Sequence, residues 1–132
     1  MPANFAWDSS APGIIVETYT GDWTIEDSRA IWFEEEKALA SSNGQLDAII
    51  VIFDLYLPLS GMRHFIEVSR SKFLSGDRLG IAVLIGLKSS DQPIFDLFVK
   101  IYPTLAQKIT LAGSMDQARQ IIAAHRNSIQ AN

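Results

Sequence analysis

Two histidines, a run of three glutamates and no cysteine make up a thin chemical inventory. His64 and Glu67 stand one helical turn apart and could share a cation, but the same spacing is that of an exposed polar helix face. His125 falls near the end of the last expected helix, where a cation complements the helix dipole. Neither histidine has a zinc-ligand spacing, and without thiolates no metal site is expected. Glu34-Glu35-Glu36 reads as a solvated helix face and not as paired catalytic carboxylates. Ser60-Gly61 lacks the preceding glycine of a nucleophile elbow, and Gly76, Gly80 and Gly86 are wrongly spaced for a dinucleotide or phosphate loop. Arg63, Arg70, Lys72 and Arg78 read either as a solvated face or as a phosphate-binding patch. No catalytic constellation and no cofactor are expected, which points to binding rather than chemistry.

Composition agrees with a folded binding domain. The chain has 132 residues, 48% hydrophobic and 20% charged, ordinary usage for one domain that buries roughly two thirds of its unfolded surface. The absence of cysteine fits a reducing compartment, and no signal-peptide pattern opens the chain, so a cytoplasmic location is expected. The longest apolar runs are too short to span a bilayer. Residues 1–59 carry ten acids against Arg29 and Lys37, whereas residues 60–132 carry five acids against nine basic residues. The net charge of −4 disfavours general nucleic-acid binding.

The elements that must position any site follow from periodicity. Residues 5–8 and 14–20, joined by a turn through Pro12-Gly13, predict an antiparallel hairpin. Thr24 and Asp27 form a capping box opening a helix with Ile25, Trp32 and Leu39 on one face, stopped at Ser41-Ser42-Asn43-Gly44. Residues 46–55 and 79–87 are nearly continuous apolar strands of the kind covered on both faces. Between them Ser60 can cap a helix bearing Met62, Phe65, Ile66, Ser69 and Phe73. Pro93 opens another helix and Pro103 closes it. Residues 108–112 form a short strand, and Ser114 with Gln117 caps a final helix whose inward residues are Met115, Ala118, Ile121, Ile122 and Ile129. The order ββαβαβαβα implies an α/β fold with a mostly parallel mixed sheet and packed helices.

Two segments stand out for binding. In the helix after Pro93, Gln92, Asp96 and Lys100 make one narrow polar stripe beside an apolar arc of about 200°. Ile94, Phe98 and Ile101 are expected in the core, leaving Phe95, Val99 and Tyr102 partly exposed. Either another element covers these three, or they form a homodimer interface, a partner surface or the mouth of an apolar small-molecule site. The loop Asp54–Arg63, with Ser60, Gly61 and Met62, follows the carboxyl end of a buried strand, where open α/β sheets usually present their sites. Ser60 at a helix start can serve as a cap, and a phosphoryl group there would be favoured by the helix dipole.

The element order resembles that of STAS domains, the fold of bacterial anti-sigma-factor antagonists and SpoIIAA-like proteins. The resemblance spans nearly the whole chain: the opening hairpin, the Gly21-Asp22 step, the strand ending Phe53-Asp54-Leu55 and the helix start Ser114-Met115-Asp116-Gln117-Ala118. Ser60-Gly61-Met62 is similar to the family's phosphorylatable Ser-Gly-Leu, with Pro58 and Leu59 in place of its polar lead-in. The resemblance implies a non-catalytic module that binds a signalling protein or an anti-sigma-factor-like kinase, with Ser60 as its switch. The divergent SpoIIAA-like branch, related in fold to SEC14-type lipid-binding domains, implies instead a carrier of an apolar ligand, for which Trp7, Trp23 and Trp32 supply further apolar surface.

Overall fold

The computed structural model describes residues 3–20, 23–53, 66 and 70–130. Its strands are β1 (Ala3–Trp7), β2 (Ile14–Thr20), β3 (Leu46–Phe53), β4 (Leu79–Ile85) and β5 (Ile109–Ala112). Its helices are α1 (Ile25–Ala40), α2 (Lys72–Ser75), α3 (Gln92–Ile101), α4 (Pro103–Ala106) and α5 (Met115–Gln130), with a 3-10 turn at Ser89–Asp91. The fold is α/β. The sheet order is β1-β2-β3-β4-β5, with β1 antiparallel to β2 and the other pairs parallel. The N-terminal strand therefore joins the sheet, in register from Ala3 opposite Tyr19 to Trp7 opposite Ile15.

Each parallel crossover steps one strand in the same direction. Crossovers of one hand then leave every connecting helix on the same face. Ile31 and Ala38 of α1, Phe73 and Leu74 of α2, Phe98 of α3 and Leu105 of α4 all pack with Ile15, Ala48, Ile50, Ala82 and Leu84. Among the described helices α5 alone covers the other face, where Ala118 and Ile122 meet Ile14, Ile49, Val51, Ile81 and Val83. Strands covered on both sides explain the unbroken apolar runs of β3 and β4.

Polar side chains fix the ends. Thr24 accepts from the Asp27 N–H and Asp27 accepts from the Thr24 N–H, the expected capping box. Ser114 accepts from the Gln117 N–H, but the Gln117 side chain reaches one residue further back, to the Gly113 N–H. Asp47 occupies a register shift between β3 and β4, where Leu46 pairs with Leu79 but Ala48 with Ala82. One of its oxygens takes the Ile81 N–H at 2.9 Å and the other takes Arg126 Nε at 2.7 Å. Arg126 also donates to the Pro12 and Gly13 carbonyls, tying α5 to the first hairpin. Arg119 grips Asp8 with two nitrogens, and these hydrogen bonds hold the Asp8 carboxyl below its usual range.

Several helix faces differ from the sequence expectation. The buried stripe of α1 is Ser28, Ile31, Glu35 and Ala38, with Trp32 and Leu39 half-buried on its flank; the Ile25 side chain lies outside the description. In α3 the core-facing stripe is rotated towards Phe95 and Tyr102. Phe98 is buried, Ile94 is half-buried, and Ile101, expected inside, is exposed on the last turn before the chain breaks at Tyr102. Ile129 is also exposed, two turns beyond Ile122, the last residue of α5 that the sheet fully covers. Strand β4 ends at Ile85, earlier than expected, because the chain turns at Gly86. Among the described residues no helix is long and apolar enough to cross a membrane.

Candidate functional site

The alternation of β2 turns Ile15, Glu17 and Tyr19 towards the helix-covered face and Ile14 and Val16 towards α5. Glu17 is thereby carried into the core, where it is 0% exposed. Above it, α1 places Glu35 between Ile31 and Ala38 on its inward stripe, 2% exposed. The two carboxyls are close enough to act on one another. The expectation of a solvated Glu34-Glu35-Glu36 run is thus corrected at its middle member. Glu34 pairs with Lys37 at 3.3 Å and Glu36 with Lys72 at 3.5 Å, but Glu35 points inward because it shares the angular position of the helix's apolar residues.

The electrostatics of this pair follow from burial. Removal from water pushes the Glu17 carboxyl well above the usual carboxylate range, and the facing Glu35 pushes it further. Burial also raises Glu35, while the nearby Glu17 and Ser71 side chains pull it back, although neither Glu35 oxygen is bonded to Ser71. Two interacting carboxyls titrate as a unit, so the proton belongs to the pair. The Tyr19 phenol, itself raised well above its ordinary value by burial and by Glu17, remains a donor and gives its hydrogen to Glu17 Oε1 at 3.1 Å. As two carboxylates, Glu17 Oε2 and both Glu35 oxygens find no donor among the described residues. One shared proton would join two of these three oxygens in a hydrogen bond. Chemically, the arrangement can hold a proton above the usual carboxylate range and surrender it when opened.

The residues singled out in the sequence are distributed differently. Asp54, Ser60, Gly61, Met62 and Arg63 lie outside the described residues, as do His64 and Glu67. Of the described basic residues, Arg78 donates to the Leu39, Ser42 and Gly44 carbonyls and so fastens the end of α1, while Lys72 answers Glu36. Phe95 and Tyr102 are half-buried and flank Phe98 in an aromatic row, with ring centroids 6.4 and 5.3 Å from it. Val99 is exposed, as are Leu97 and Ile101 on the opposite flank. Tyr102 and Ile101 line an open cleft of about 500 Å³ together with Leu74, Leu105, Arg70 and Lys108. Among the described residues no three acidic or histidine side chains gather as metal ligands.

The carboxyl pair was detectable in the sequence by one signal. If Ile15 and Tyr19 both face the core, the period of two forces Glu17 to do so as well. No protein family, no characterised protein and no solved structure matches the chain.

Proposed function

We propose that the chain is a non-catalytic, STAS-like interaction module of bacterial signalling. In this reading it is an anti-sigma-factor-antagonist-like regulator, working in the cytoplasm, whose protein partner meets the segment from Asp54 to Arg63 with Ser60 as the switch. The observation that carries this reading is the winding of the sheet. Among the described residues the connecting helices share one face, an antiparallel hairpin forms one edge, and central strand β3 ends at Phe53, immediately before that segment. Sites in open α/β sheets gather at the carboxyl ends of the strands. Protein isolated from its own host is expected to carry one phosphoryl group at Ser60, and Ser60→Asp is expected to weaken partner binding at least tenfold. Host protein unmodified at Ser60, with binding untouched by Ser60→Asp, would contradict the switch.

The cleft beside Tyr102 favours a second reading. Leu74, Ile101 and Leu105 supply an apolar lining, and Arg70 and Lys108 give it a basic side, which suits an apolar molecule with an anionic end. Organic extracts of freshly isolated protein are then expected to contain such a molecule, and Ile101→Asp is expected to empty them. Clean extracts from the unaltered protein would count against this reading. Homodimerisation through Phe95, Val99 and Tyr102 is a separate matter, since only Val99 of the three is exposed.

A further inference from the structure

Independently of that reading, the geometry points to a proton-operated latch: one proton shared between Glu17 of β2 and Glu35 of α1 holds the helix on the sheet, and its loss releases the helix. The α1 interface is poor in apolar surface. Of the four residues on its fully buried stripe, Ser28 and Glu35 are polar, and only Ile31 and Ala38 contribute apolar surface. The Ser28 hydroxyl and the Trp32 indole nitrogen are also buried without a partner among the described residues. A helix docked through so little apolar area depends on whatever else bridges it to the sheet. At the surface Arg78 and Lys72 hold the helix end and Glu36, but the bridge inside the interface is the carboxyl pair.

No described cation compensates the pair if both members ionise. From β2 comes only the Tyr19 phenol, which already donates to Glu17. From α1 comes Glu36, whose charge works against ionisation of Glu35. From α2 come the Ser71 hydroxyl and Lys72, but Lys72 sits at the surface on Glu36. The members of β1 and β3 that join this layer, Ala3, Phe5, Ala48 and Ile50, are apolar. Two negative charges facing each other in such a place must be rehydrated, and the direct way is to lift α1. Both groups are raised by burial in the closed state, so opening releases a proton and is favoured as pH rises.

Hydrogen exchange along the full chain tests the latch, with each amide's rate expressed relative to an unstructured peptide at the same pH. Above the ordinary carboxylate range, protection of the α1 amides is expected to fall by up to about tenfold per pH unit for one proton released. The β4 amides are expected to keep their protection. Glu35→Gln puts a carboxamide donor where the shared proton was and is expected to keep α1 protected throughout. Should that variant fail to fold, Glu17→Gln offers the same donor from the strand, and the comparison of α1 with β4 stands without either. Loss of protection in α1 and β4 together, α1 protection indifferent to pH, or an unchanged pH response in a folded glutamine variant would each overturn the latch.

Discussion

Gly86→Ala is expected to destabilise the protein by about 3–5 kcal/mol, combining backbone strain with a steric clash. Gly86 turns the chain out of β4 at φ +106°, a conformation that side chains rarely adopt, and an added Cβ would collide with the Ile52 carbonyl oxygen on β3. Neither obstacle can be relieved by moving a side chain, since the colliding atom is backbone in a central strand. The effect would fall on the carboxyl edge of the sheet, at the register that sets where β3 hands over to residue 54. Thermal unfolding should show a fall in Tm of roughly 10 °C or more for a chain of this size. A variant melting with the unaltered protein would contradict the close approach of Gly86 to the Ile52 carbonyl.

Raising the pH is expected to weaken the unaltered protein, and Glu17→Gln is expected to remove much of that dependence. The folded state holds a proton on the Glu17–Glu35 pair that the unfolded chain gives up near the ordinary glutamate value of about 4.3. A group raised on folding contributes stability that is complete below the unfolded value and is lost as pH climbs through the folded one. Stability should therefore fall by about 1.4 kcal/mol per pH unit for one proton, beginning above the ordinary carboxylate range. Asp8 acts in the opposite sense: its carboxyl is lowered by Arg119, so its contribution is lost only as the solution becomes strongly acid. Glutamine at position 17 can still accept from Tyr19 and can donate to Glu35, so the variant should melt several degrees higher than the unaltered protein at pH 8. Equal slopes of Tm against pH in the two proteins would remove the pair as the cause.

The elements of the sheet were largely legible because their signals are local. β-branched runs, the Thr24–Asp27 cap and the helix-opening Pro93 each specify an element from a few adjacent residues. The misread faces lie where tertiary packing chooses among several apolar residues. Helix α3 has more apolar positions than the core can cover, so rotation towards Phe95 and Tyr102 left Ile101 outside. Glu35 was misread for the converse reason. Three consecutive glutamates look like a solvated face, yet consecutive residues are 100° apart on a helix and cannot all point the same way. Glu17 was read only as part of a β-branched strand, although the alternation that buries Ile15 and Tyr19 buries it too. The Asp54–Arg63 segment lies outside the described residues.

The most direct measurement is a pH titration of the glutamate side-chain carboxyl carbons by nuclear magnetic resonance on uniformly labelled protein, with Glu17→Gln and Glu35→Gln used to assign the two resonances. The shared proton requires that the Glu17 and Glu35 resonances titrate together, above the usual carboxylate range. If Glu17 and Glu35 lose their protons in the ordinary carboxylate range, the pair holds no proton at neutral pH, and the latch built on it does not exist.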